Sequence, residues 1–197
     1  MSIIAINKKG EGFATIDAGS YPARIYQMIH LGTIAGFQGQ LQNKVRIGFE
    51  MPTEMKVFDE KKGEQPRVIS QDYTLSFNEK ANLRKVIEAC DPDALKLDKD
   101  GFLEEFDVEK LIGKDCLITV AQKEGKEGRI FAFIDSVTRL PKGMSCPKAI
   151  NPIQLLSYDK WNQELFDKLP DFLKDKIRTS VEYERMMNPI ADDKSPF

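Results

Sequence analysis

The hydrophobic pattern of this 197-residue chain changes period within residues 68–90, and that change limits the folds open to it. Val68, Ile69, Tyr73 and Thr74 mark a β-branched and aromatic strand, with Tyr73, Leu75 and Phe77 at a spacing of two. Asn78 then offers a side-chain oxygen to cap a helix. Leu83, Val86, Ile87 and Cys90 follow at helical spacing, leaving Lys80, Arg84, Lys85 and Glu88 for solvent.

Two strand-like runs precede this unit and two follow it. Residues 21–31 set Ala23, Ile25 and Ile29 on one face and Arg24, Tyr26 and Met28 on the other. Residues 44–51 alternate most regularly: Val45, Ile47 and Phe49 face inward, Lys44, Arg46 and Glu50 face out, and Pro52 ends the run. Residues 116–122 and 130–140 make the fourth and fifth strands, closed by Pro141. Phe131 and Phe133 oppose Ile130, Ala132 and Ile134, and the phenylalanines are assigned to the core, the alternative being exposure for stacking. Three strands, a helix and two strands is the order of an OB-fold, a five-stranded Greek-key barrel that commonly binds oligonucleotides. The fold class expected is therefore mainly β with added helices.

The connections carry the polar chemistry. Residues 32–43, rich in glycine and glutamine around Phe37, read either as a ligand-clasping loop or as a plain surface loop. Residues 53–67 form a charged hairpin holding Lys56, Phe58, Lys61, Lys62 and Arg67. Cations for phosphates and a ring for a base are what a single-stranded nucleic acid needs. Glu54, Asp59, Glu60 and Glu64 are interleaved there, so a solvated hairpin explains the same residues. The second clasping loop would be residues 123–129, with Lys123, Lys126 and Arg129. Asp98, Asp100 and Gly101 suggest a calcium loop, but Lys96 stands where its first carboxylate belongs and Asp107 where a bidentate Glu belongs, so the match fails.

Residues 1–19 read as an N-terminal arm and 20–150 as the barrel domain. Residues 151–184 read as a helical extension, packed on the barrel or on a second subunit. Trp161, Leu165, Phe166 and Leu169 make one apolar stripe, and Phe172, Leu173 and Ile177 make another after Pro170. Residues 185–197 remain as a flexible acidic tail.

The formal net charge is −2, so the whole molecule is no basic nucleic-acid sponge. The balance is segregated: +2 over residues 20–90, −5 over 91–115 and +3 over 116–150. Cys90, Cys116 and Cys146 lack metal-ligand spacing and read as reduced thiols, which suits a cytoplasmic protein. Neither a targeting leader nor a membrane span is expected. His30 is the lone histidine, and no phosphate-cradling loop, zinc spacing or nucleophile elbow accompanies it. The chain is expected to be non-catalytic and to use no cofactor or metal.

The chain ends Asp192-Asp193-Lys194-Ser195-Pro196-Phe197. This resembles the C-terminal tip of bacterial single-stranded DNA-binding proteins, where acidic residues precede a terminal Pro-Phe. It departs from them in having two acids rather than a longer run, with Lys194 intruding. The body is more similar to OB-fold single-stranded DNA-binding proteins of tailed bacteriophages, which combine a barrel, extra helices and an acidic tail. The resemblance implies single-stranded DNA as partner, with replication and recombination enzymes recruited through Asp192, Asp193, Pro196 and Phe197. It leaves room for a homo-oligomer, and places a phage-encoded protein in the host cytoplasm. On that expectation the strand lies across strands two and three and between the two loops. Arg24, Lys44, Arg46, Lys61, Lys62, Arg67, Lys123, Lys126 and Arg129 would meet phosphates, and bases would stack among Tyr26, Phe37, Phe58 and Tyr73. The alternative is an OB-like adaptor, a virion or replisome component that binds protein and no nucleic acid.

Overall fold

A computed structural model describes residues 15–36, 39–76, 78–95, 105–125 and 128–189. Phe37, Phe77, Lys126, the calcium-like run and the four residues assigned to the tail tip lie outside that set, as do residues 1–14.

The strands are β1 (Gly19–Ala35), β2 (Leu41–Asp59), β3 (Gly63–Thr74), β4 (Asp115–Glu124), β5 (Ile130–Thr138) and the short β6 (Gln154–Leu156). Helix α1 (Asn82–Cys90) follows β3, and α2 (Gln163–Lys168), α3 (Asp171–Arg178) and α4 (Val181–Met187) end the described chain. Five strands form a curled antiparallel sheet in the order β3-β2-β1-β4-β5. Residues 19–24 of β1 pair with β4, and where β4 leaves that edge β6 takes it over in parallel at Gln27–Ile29. Among the described residues no helix is long and apolar enough to cross a membrane.

The strand-to-helix unit forms as the periodicity predicts. Leu83, Val86 and Ile87 are buried in the main core with Val45, Ile47, Phe49 and Tyr73. Two details differ. The N-cap of α1 is Ala81 without a side-chain bond, whereas Asn78 accepts from the Lys80 amide one turn earlier. Strand β2 also runs on past Pro52. The β2–β3 register slips between Met51 and Met55, so no ladder bond is asked of the proline nitrogen.

A bulge in β1 decides how the rest packs. Ile25 pairs with Phe49 and Gln27 with Gly48, which leaves Tyr26 as the extra residue. Alternation therefore inverts: Ala23, Ile25 and Met28 face the main core, while Ile29 and Leu31 turn to the opposite face. There Leu156, Phe166, Leu169, Leu173 and Ile177 cover them as a second core. The helical extension thus packs on β1. Trp161 joins it rather than the surface, with its ring 5.0 Å from Phe166 and 5.8 Å from both Tyr158 and Tyr183. Gly32, at φ 80°, receives the α3–α4 corner: a Cβ there would lie 2.7 Å from Ser180 and Glu182.

The segment between β5 and β6 is tied down by Glu50, which is fully buried. Its carboxylate accepts from the backbone amides of Asn151 at 2.8 Å and Ile150 at 3.3 Å, with Arg24 at 4.0 Å. All three cysteines are free thiols. Cys116 is buried, and its thiol is raised by a hydrogen bond with Cys90 and by desolvation.

Candidate nucleic-acid interface

The outer face of β1–β3, where a strand was expected to lie, is largely occupied. Arg24 Nε donates to Asp115 at 2.7 Å, and Arg46 Nη1 to Asp72 at 2.6 Å. Lys176 of α3 reaches the other Asp72 oxygen at 2.6 Å, and the Phe172 ring lies 5.6 Å from the Arg46 guanidinium. Arg24 and Arg46 are therefore neutralised within the fold and are not free phosphate contacts. Tyr26 is buried at the bulge, and Tyr73 is a core residue whose hydroxyl is raised by burial. Neither ring is placed to stack on a base. The reasons differ: Tyr26 is the extra residue of the β1 bulge, whereas Tyr73 pairs with Val45 and faces the main core beside α1.

Burial alone would raise the Asp72 carboxyl, but the Lys176 hydrogen bond and the Arg46 charge hold it below its usual value. Glu182 is likewise lowered on balance, burial being outweighed by bonds from the Thr33 amide and hydroxyl at 2.6 and 2.7 Å. A lowered folded pKa stabilises above the unfolded value of about 4 and is lost as pH falls through the folded value. Acid should therefore loosen the helical layer. Trp161 fluorescence followed downward from pH 5 is expected to change before far-ultraviolet dichroism does, and Asp72→Asn should blunt the early change.

The free cations lie elsewhere. Lys61 and Lys62 are exposed at the β2–β3 turn, beside Phe58, with Lys56 Nζ 5.9 Å from the Phe58 ring. On the β4–β5 hairpin, Lys123 Nζ lies 5.5 Å from the Phe133 ring, and Arg129 is exposed. Phe131 is 48% exposed and rests over Gly125, where a Cβ would come within 2.5 Å of the ring. Thr15 and Ile16 connect the two hairpins. Arg67 Nη1 donates to the Thr15 carbonyl at 3.0 Å, Thr15 Oγ1 to the Ile130 carbonyl at 3.2 Å, and Gln122 Nε2 to the Ile16 carbonyl at 2.8 Å. Arg67 thus acts first as a strut. The result is a surface with two cation–aromatic pairs flanking one bridge.

This arrangement corrects two expectations. Phe131 and Phe133 are not core residues: Val120 pairs with Ile134 and Ile118 with Val137, and a bulge at Asp135 keeps both aliphatic partners inside. The glycine beside Phe131 and the aliphatic set Ala132, Ile134 and Val137 were the available signal. The β1–β2 and β4–β5 turns also do not clasp one site. The first adjoins Ala35, paired with Leu41, and the second adjoins Gly19, whose partner is Val120, so all of β1 separates them. Lys44 sits at the β1–β2 end, opposite Gly32. It is the β2–β3 hairpin that neighbours β4–β5.

A cavity of about 240 Å³ opens where the two cores meet. Met28, Val45, Leu75, Leu155 and Leu156 give it apolar walls, and His30, Asp107, Glu109 and Ser157 give it polar groups. His30 Nε2 lies 2.7 Å from Asn43 Oδ1, and its ring meets Tyr158 edge-on at 5.1 Å. The Glu109 carboxyl is lowered chiefly by its hydrogen bond from Lys160, at 2.8 Å. No family model and no curated protein matches this sequence.

Proposed function

We propose that this is a non-catalytic, single-stranded DNA-binding protein built on an OB-like barrel. The observation that carries the reading is the pair of adjacent hairpins, each setting a lysine against a phenylalanine and joined through Thr15. Aromatic faces accept any base and lysines accept any phosphate, so binding of this kind is largely indifferent to sequence. The strand order β3-β2-β1-β4-β5 supports the barrel, being that of an OB-fold opened between β3 and β5. The binding path differs from the one expected of the fold, because the β2–β3 and β4–β5 hairpins replace the covered outer face. Within this reading Asp192, Asp193, Pro196 and Phe197 recruit replication and recombination enzymes.

Fluorescence anisotropy of a labelled poly-dT oligonucleotide tests it, with duplex DNA of equal length as control. With Lys56, Lys61, Lys62, Lys123 and Arg129 on phosphates, a fourfold rise in salt should weaken binding about a hundredfold, from a slope of ~0.7 per contact. Equal affinity for duplex, or no binding at low salt, overturns the reading. A protein-binding adaptor would then be favoured, on the observation that Met55, Val57, Val68 and Ile130 expose apolar surface around the same hairpins.

A further inference from the structure

We propose that Cys90 and Cys116 are an oxidisable thiol pair, which a two-electron oxidant such as hydrogen peroxide closes to a disulfide clamping α1 to β4. The proposal stands apart from the single-strand reading and would survive its failure. Placement comes from the two elements. Cys90 is the last residue of α1, whose Leu83, Val86 and Ile87 lie in the main core. Cys116 lies on β4, opposite Ala23 of β1, and is fully buried in that same core. The two thiols meet there in a hydrogen bond. Just outside them, Lys114 Nζ reaches Asp91 Oδ2 at 3.2 Å. That ion pair joins the residue after Cys90 to the residue two before Cys116, so the backbones carrying the thiols are held together at a second point. Tyr73 brings its hydroxyl to the same place. The oxygen is buried without a hydrogen-bond partner, and both cysteines add to the burial that raises its pKa. Cys146 belongs to the opposite face, beside Asp115, Arg24 and Glu50. Asp115 and Cys116 are consecutive on a strand, so their side chains point to opposite sides of the sheet.

The two thiols differ in access, and that orders the chemistry. Cys90 is part-exposed, whereas Cys116 is closed to solvent and is kept protonated by the neighbouring thiol and by burial. Cys90 therefore meets the oxidant first. Its thiolate attacks one peroxide oxygen: an S–O bond forms, the O–O bond breaks, and the departing hydroxide takes up a proton as water. The Cys116 sulfur then attacks the sulfenic sulfur of Cys90. An S–S bond forms, the S–O bond breaks, and a second water carries away the Cys116 proton. Together the two thiols lose two electrons and two protons, and the peroxide becomes two molecules of water. A reducing compartment returns the bond to thiols, so the clamp exists only while oxidant is present.

Treating the full, reduced chain with millimolar hydrogen peroxide tests this. Free thiols counted after denaturation should fall from three to one, and the intact mass should drop by two hydrogens. Dithiothreitol should restore both. The bond closes a long loop between elements already in contact, so the oxidised form should melt roughly 5–10 °C above the reduced one. Cys146→Ser should close the same bond and end with no free thiol. Cys90→Ser, at a part-exposed position that tolerates the change, should form no intrachain bond. Four results would overturn the proposal: three thiols that persist under peroxide, a bond that needs Cys146, a Cys90 sulfenic acid that dimedone traps without closure, or an oxidised chain that melts no higher than the reduced one. Anisotropy with poly-dT is the separate readout. A chain that closes the bond and binds no DNA removes the single-strand reading alone.

Discussion

Replacing Phe58 and Phe131 together with alanine is expected to weaken single-stranded DNA binding at least thirtyfold while the protein stays folded. The two rings are 45% and 48% exposed, so each presents an open face, and the part they bury costs the fold a moderate loss that the control must match. Each is free to stack on a base, and stacking contributes ~1–3 kcal/mol per base, so two losses sum to at least ~2 kcal/mol. Phe172→Ala is the matching control, because that ring is also exposed but sits on α3 away from both hairpins. If the double variant binds poly-dT as the parent does, the hairpins are not the interface. If the control weakens binding equally, the interface extends over the helical layer.

The second large effect concerns Glu50. Alanine at this position leaves the Ile150 and Asn151 amides without their acceptor and deprives Arg24 of one of its two carboxylates. Breaking a buried, hydrogen-bonded charge costs roughly 3–5 kcal/mol. Because Asp115 still holds Arg24, the expected loss is about 3 kcal/mol, read as a lower urea midpoint. Glu50→Gln retains one acceptor oxygen and should fall between the two. Parent-like stability in Glu50→Ala would mean that the segment before β6 is held by other contacts.

The parts of the fold that were legible are those governed by one local period. Val45, Ile47 and Phe49 alternate without interruption and are core; Leu83, Val86 and Ile87 repeat at helical spacing and cover that core. The failures share a cause. An extra residue at Tyr26, and another at Asp135, each shift parity by one, and nothing in the local letters announces a bulge. Glu50 reads as solvent-facing because the backbone that covers it lies a hundred residues onward. Arg24 and Arg46 read as free cations because Asp115, Asp72 and Lys176 reach them through tertiary pairing. Lys61, Lys62 and Lys123 of the two hairpins read as exposed and are exposed, since turn residues with few neighbours keep their sequence character. Phe133, beside Lys123, was assigned to the core instead.

The inverted alternation of β1 also orders events in time. Ile29 and Leu31 leave a ribosome well before Leu173 and Ile177, the side chains that will cover them. At about 5–20 residues per second the 146 positions between Leu31 and Ile177 take on the order of ten seconds to make. For that interval a nascent chain able to close its main core would still carry a bare aliphatic stripe on the reverse of β1, the central strand of the sheet. A chaperone acting on this protein during translation would find its binding site there.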